Sequence, residues 1–470
     1  MMRATTFTMD TEVLPSDLPE LLTFIHQYYV IPHPNVMRFI SKGMVDGQYV
    51  LSFRIVDPGG LWWVDVNIKA QKPVLVEMQP SDLIAPQETL DSLREDLKFT
   101  VKLYEDKVRR ATLYFAWVEG KETIPEAMPS MKRRSVERLF RSNMLIMYVI
   151  SIALSIVIFS ILGKYAPIFI IGFQFITVML ADKIVMKLGN WRIDSKNPYV
   201  HVLHYELPTD LHNEFHKKYG RQVIDQMKKE IYEKTFALGK EPTCEVAEEV
   251  FEKYGFKCES GRMSGKKVDL YNIVKSAADS FGLPIPKITV SNIMLPNAAA
   301  TGPTPRQATV LITTGLLVQL DDSEVLSVVG HEMGHLKGHD PLWLFGLMSF
   351  GYMVLLLLPP FMFSSFIYFM VGMGVIYFIA KFFEARADLY SAVVIGQPRV
   401  LAESLRKIGF RKLQLEKIPQ FRIQAWLNWD PHPPIYFRIR RLEQLKMPMH
   451  TKHLLIQSAK DVFSGFRAAF

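Results

Sequence analysis

The strongest chemical signal in the chain is the run His331-Glu332-Met333-Gly334-His335. On an α-helix, positions i and i+4 share a face, so both imidazoles can reach one Zn2+ while Glu332 projects beside them toward a water on that ion. A hydrolytic zinc site takes three protein ligands and leaves one position open, so a third ligand is required. Glu384-Ala385-Arg386-Ala387-Asp388 is the best source. Its carboxylates stand at i and i+4, which lets Glu384 bind the metal while Asp388 accepts a hydrogen bond from the far ring nitrogen of a ligand histidine. Alone, the first run could be two core histidines and the second a charged helix end. Together they point to metal-assisted hydrolysis, with Glu332 taking a proton from water and returning one to the leaving group. His212 and His216 share the same spacing, but Glu214 is misplaced for a base and its neighbours are highly charged, so a solvated face is expected there.

The first motif must sit on a helix, and the flanking residues supply one. Asp321 and Glu324 have capping-box spacing, Val325, Leu326, Val328 and Val329 offer a buried surface, and Gly338 offers a stop. The two metal motifs are separated by apolar sequence. Residues 143–162, 165–181, 342–358 and 361–380 carry no Asp, Glu, Lys or Arg. About 20 helical residues at ~1.5 Å each cover the ~30 Å hydrocarbon layer of a bilayer. Gly163-Lys164 and Pro359-Pro360 divide these segments into two hairpins, 143–181 and 342–380, giving four predicted transmembrane helices. The second hairpin would return the chain to the surface it left and so bring the motifs together. Lys132, Arg133, Arg134, Arg138 and Arg141 precede the first span, and Lys183, Lys187 and Arg192 follow the second. The positive-inside rule then places the soluble parts and the active site on the cytosolic side of a multi-pass protein of the cell membrane.

The rest of the 470 residues, 49% of them hydrophobic, divides around these spans. Residues 1–130 read as a small α+β domain of unknown role, with a helix near 18–29, strands at 49–56 and 61–68 joined by Asp57-Pro58-Gly59-Gly60, a helix over 86–108 and a strand at 112–118. Residues 183–269 are polar and mostly helical, with breaks at Gly239 and Gly255; residues 270–470 form the catalytic domain, with strand-like pieces at 287–290 and 308–313. The formal charge of +8 lies beside the apolar segments and accompanies no nucleic-acid-binding signature, so the expected partner is the lipid bilayer and not nucleic acid. Cys244 and Cys258 are too few for a disulfide framework and read as free thiols. The acidic residues among the first 20 exclude a signal peptide, which leaves the amino terminus in the cytosol.

With these residues in hand, the sequence resembles the HtpX family of integral-membrane zinc metallopeptidases, distant relatives of the CAAX prenyl proteases. The resemblance runs from about residue 270 to 445. It rests on Leu283-Pro284-Ile285-Pro286, on residues 296–302 (Pro-Asn-Ala-Ala-Ala-Thr-Gly), on Thr313-Thr314-Gly315-Leu316-Leu317, on the HEMGH run, on Glu384 with Asp388, and on His432-Pro433-Pro434 followed by Arg438. It implies a glutamate-type zincin (gluzincin) domain within an α+β membrane protein. It also implies zinc-dependent endopeptidase activity on unfolded or membrane-protein substrates in quality control. Asn297 then corresponds to a segment beside the cleft, although a tight loop entry serves it equally well, and His432 becomes a candidate donor to the substrate carbonyl, with Arg438 as a structural or substrate-positioning partner. The strand near 287–293 is expected to hold an extended peptide by edge pairing. The domain before the first span is larger than the family core requires, and residues 183–269 are long and polar. A competing reading is a non-proteolytic zinc-containing membrane scaffold, against which the retention of Glu332 argues, since a structural site needs no general base.

Overall fold

The computed structural model describes residues 5–81, 85–110, 112–121, 154, 157–207, 221–241, 243–255, 257–357, 366–416, 418–447 and 453–470. The chain forms two compact units, one of Met1–Leu113, His204–Lys218 and Cys258–Ser264, the other of Tyr114–Leu203, Tyr219–Lys257 and Gly265–Phe470.

The first unit is built on a five-stranded antiparallel sheet. Its strands lie in the order Thr5–Met9, Val74–Pro80, Trp63–Lys69, Gln48–Val56 and Met37–Val45. Alternation along Gln48–Val56 and its neighbours sends Leu51, Phe53, Val64, Val66, Ile68, Val76 and Met78 to one face, where helices Leu18–Ile25 and Gln87–Arg110 supply Leu21, Leu22, Ile25, Leu97 and Val101. Each such apolar side chain contributes about 1.5–3 kcal/mol on leaving water. The expected hairpin at 57–60 is present: Asp57 Oδ2 accepts from Gly59 N at 3.0 Å, and Gly60 adopts φ +72°. Strand Thr112–Val118, expected in the amino-terminal domain, pairs instead in a three-stranded sheet of order Thr112–Val118, Tyr199–Glu206, Met263–Asp269.

In the second unit a four-stranded mixed sheet runs in the order Ala298–Thr301, Thr309–Thr313, Lys287–Ser291, Trp191–Ile193. Lys287–Ser291 is parallel to Thr309–Thr313 on one side and antiparallel to Trp191–Ile193 on the other. It is therefore an interior strand with its backbone groups already paired. The expectation that it receives a peptide by edge pairing is corrected: among the described residues the edge strands of this sheet are Trp191–Ile193 and Ala298–Thr301, the latter pairing antiparallel with Thr309–Thr313. Helices Leu270–Phe281 and Asp322–Gly338 pack on this sheet through Val274, Ala277, Ala278, Val325, Val329 and Met333.

The polar region is helical at Arg221–Lys234 and Cys244–Glu252, with Gly239 and Gly255 both at positive φ as chain reversals. Strand Met263–Asp269 interrupts it. Neither Cys244 nor Cys258 is a free thiol, which corrects the expectation.

Of the expected spans, residues 143–153, 155–156 and 358–365 lie outside the described residues. Among the described residues one helical run, Val157–Met179, is long and apolar enough to cross a membrane, and only 17% of its most apolar window is buried. Gly163 within it takes φ +54°, followed by a 3-10 turn and by Pro167 in the first turn of helix Ala166–Met179. Helices Asp340–Leu357 and Phe366–Val394 cover the described parts of the second apolar pair.

Candidate metal centre

Helix Asp322–Gly338 carries the motif, and its start is fixed as the sequence suggests. Asp321 Oδ1 accepts from Glu324 N and Glu324 Oε2 accepts from Asp321 N, both at 2.9 Å, closing a capping box. Val325, Val329, Met333 and Leu336 then recur on the face turned to the sheet, leaving His331 and His335 on another face.

That other face meets helix Phe366–Val394 very closely because it is lined by Gly330, Gly334 and Gly338. A Cβ at Gly334 would stand 3.0 Å from Ala387 Cα and 3.1 Å from its carbonyl oxygen, and one at Gly330 would collide with Ile395 and Ser391. A Cβ at Gly338 would collide with the Arg386 guanidinium. The glycine spacing of four was present in the sequence but was not read as a packing seam.

This close approach delivers Glu384. The nitrogen and oxygen atoms of His331, His335 and Glu384 that could hold a metal all lie within 4.8 Å of one another. His331 Nε2 and His335 Nε2 are 3.1 Å apart, and they stand 3.5 and 3.4 Å from the Glu384 carboxylate oxygens. Glu384 Oε2 is buried and accepts no hydrogen bond among the described residues. Two imidazoles and one carboxylate, with a buried oxygen left unsatisfied, fit the donor set of a hydrolytic zinc site.

Each far ring nitrogen has its own carboxylate. His331 Nδ1 lies 2.9 Å from Asp388 Oδ1, and His335 Nδ1 lies 2.7 Å from Asp340 Oδ2. These contacts leave both Nε2 atoms for the metal. Asp388 is held in turn by Arg438, whose Nε and NH2 donate to its two oxygens at 2.9 and 2.7 Å, and Asp340 is held by Arg386. Arg438 is 4% exposed and Asp388 1%, so Arg438 sits inside the protein as the partner of Asp388. Asp340 was not singled out by sequence reasoning. It opens the next helix, and only the left-handed turn at His339 (φ +54°) brings it back to His335.

Charge follows from this burial. For Glu384 burial favours the neutral acid, but the neighbouring His432, His335 and His331 outweigh it and hold the pKa well below the usual carboxylate range. Burial likewise resists ionisation of Asp388, and Arg438 and His331 override it, lowering the pKa. His331 is pushed up to about 10: burial opposes its charge, and Asp388 and Glu384 more than compensate. His335 is lowered by burial, which the opposing charge of Glu384 does not fully offset.

Glu332 is 8% exposed, and its Oε2 accepts the backbone N–H of Ala300, on the sheet edge, at 2.7 Å. Asn297 stands at the entry to that edge strand with its side-chain oxygen turned onto Ala298 N at 2.9 Å. His432 comes from another direction: its Nε2 lies 3.6 Å from Glu384 Oε2 and its side chain is 44% exposed.

The second unit contains all of these residues, and comparisons with known proteins fall on the same stretch. The model of peptidase family M48 matches residues 265–446. A "Protease HtpX homolog" of Tropheryma whipplei (strain TW08/27) is 31% identical over 209 residues, covering 37% of this chain and 72% of that relative. Proteins of the same description from Caldanaerobacter subterraneus subsp. tengcongensis and Desulfatibacillum aliphaticivorans are each 28% identical. The first aligns over 213 residues (37% of this chain, 71% of the relative), the second over 256 (43% and 79%). The two histidines and the glutamate thus converge inside the region shared with these relatives, and the chain belongs to the HtpX family of metallopeptidases within peptidase family M48.

Proposed function

We propose that this protein is a membrane-embedded zinc endopeptidase that hydrolyses peptide bonds of misfolded or membrane proteins in quality control. The observation that carries the reading is the convergence of His331 and His335, on the helix that also carries Glu332, with Glu384 of helix Phe366–Val394 to within 4.8 Å. A zinc ion held by these three residues would polarise a substrate carbonyl and acidify a water. Glu332, oriented by the Ala300 amide, takes the proton of the attacking water and returns it to the departing amine. His432, on the exposed side of Glu384, offers a hydrogen bond to the carbonyl oxygen as negative charge grows there. Arg438 and Asp388 keep His331 oriented. An extended peptide adding to the edge strand Ala298–Thr301 lies beside Glu332, and only an unfolded segment can present a free strand to it.

The exposed apolar surface of Val157–Met179 supports membrane insertion, while four spans with the site facing the cytosol rest on the apolar segments and the flanking Lys and Arg of the sequence. Ile161 is 75% exposed and Ile168, Phe169 and Phe173 are each 59% exposed, a face that lipid satisfies and water does not. This helix packs on Asp340–Leu357, with Phe175 and Phe345 5.8 Å apart, and the latter helix begins directly beyond His339. The test is cleavage of an unfolded membrane protein by the purified chain in detergent or lipid. Activity lost on chelation and restored by Zn2+ is expected; a zinc-loaded protein inert toward varied unfolded substrates would favour the scaffold reading.

A further inference from the structure

The two ring nitrogens of His432 have different neighbours. Nε2 faces Glu384, whereas Nδ1 lies 2.7 Å from Asp430 Oδ1. The same Asp430 oxygen accepts the backbone N–H of His432 at 3.0 Å, so one carboxylate fixes both the ring and the chain that carries it. Asp430 is anchored from two helices. Lys412, on helix Phe410–Glu416, places Nζ 2.7 Å from Oδ2, and Lys381, one turn before Glu384 on helix Phe366–Val394, donates to the Asp430 backbone carbonyl. Lys381 is 1% exposed, and an ammonium so buried is retained only where it finds acceptors. Downstream, Glu416 accepts the backbone N–H groups of Ile435 and Tyr436 at 3.1 and 2.9 Å, so the segment is pinned at both ends.

We propose that Asp430, clamped by Lys381 and Lys412, is a positioning residue that holds His432 by Nδ1 and aims its Nε2 into the metal centre. Two helices then share the control of one exposed imidazole. The same helix that supplies Glu384 also supplies Lys381, so the His432 segment is tied to the metal-bearing helix itself. The effect on turnover rests on the peptidase reading; the effect on the ring does not.

The experiment uses the purified full-length protein with 15N-labelled histidine, loaded with Zn2+, comparing wild type with Asp430→Asn, Lys412→Met and Lys412→Arg. The Nδ1–H of His432 should resonate as a strongly hydrogen-bonded proton in the wild type and in Lys412→Arg, weaken in Lys412→Met and be lost in Asp430→Asn. Asp430→Asn should lower kcat by about 10–100-fold with KM and zinc content unchanged, the range seen when an outer partner of a site residue is removed. In a His432→Ala background the same substitution should cost nothing further, because the carboxylate acts through the ring. An unchanged Nδ1 signal in Asp430→Asn, or an equal loss of kcat with and without His432, overturns the proposal. If the zinc-loaded wild type cleaves nothing, the peptidase reading fails and the ring signal alone decides the positioning role. Lys412 has a side chain 45% exposed, so its substitution tests the clamp without disturbing the core.

Discussion

Asp388 joins two partners: Oδ1 reaches His331 Nδ1 and both oxygens accept from Arg438, with Asp388 and Arg438 both buried. Removing the carboxylate charge should therefore act on the metal before it acts on the fold. Asp388→Asn is expected to lower zinc affinity about 10–100-fold, read by competition with a chromogenic chelator. Arg438→Met should be worse for stability, because it strands a buried carboxylate, at a cost of about 3–5 kcal/mol in chemical denaturation. A third buried charge lies far from the chemistry in sequence. Glu206 is pushed up to about 7 by burial and by Asp17 and Glu12, against the opposing pull of Arg262 and Lys72. Its folded pKa stands above the ordinary carboxylate value. The folded chain therefore keeps a proton that the unfolded chain releases between about pH 4.5 and 7, and stability falls as pH rises through that window. Glu206→Gln should raise the melting temperature at pH 8 and leave it unchanged near pH 4.5; an equal gain at both would show that the carboxylate charge is not the cause.

At the scale of elements, the centre depends on how closely helix Asp322–Gly338 approaches helix Phe366–Val394. Gly334→Ala adds a better helix former, worth about 1 kcal/mol, but its Cβ meets the backbone of Ala387, which cannot rotate away. Overpacking of this kind costs about 1–3 kcal/mol and would move Glu384 outward, so zinc affinity and stability should fall together. Gly346→Ala, with nothing within 4 Å of its Cβ, should be neutral or stabilising in the same thermal assay. Much of this arrangement was legible. The capping box, the i, i+4 histidines and the Glu384–Asp388 pair are local patterns, and local patterns survive folding. Asp340 was not legible because its approach to His335 depends on a left-handed residue between two helices. The identity of the sheet edges was not legible either, since strand order is set by long-range pairing: Trp191–Ile193, nearly a hundred residues upstream, covers Lys287–Ser291. Strand Met37–Val45 escaped notice because all but Met37 of its side chains are exposed, which leaves no alternation to read.

For the whole molecule, the proposed function has the apolar helices and the metal centre belong to one membrane-bound unit. His339 sits between the motif helix and helix Asp340–Leu357 and is exposed, so a cysteine placed there should react with an impermeant reagent only from the cytosolic face; labelling only from the opposite face would reject the orientation. The central claim is that His331, His335 and Glu384 hold a metal while Glu332 moves the proton. It is tested most directly by measuring zinc content and cleavage of an unfolded membrane protein in the same preparations of wild type, His335→Ala and Glu332→Gln. Glu332→Gln keeps all three ligands and nearly the same volume, so zinc should remain bound while turnover falls by about 10²–10⁴-fold. His335→Ala should lose both zinc and activity. Near-normal cleavage by zinc-loaded Glu332→Gln, or full zinc occupancy in His335→Ala, would contradict the account.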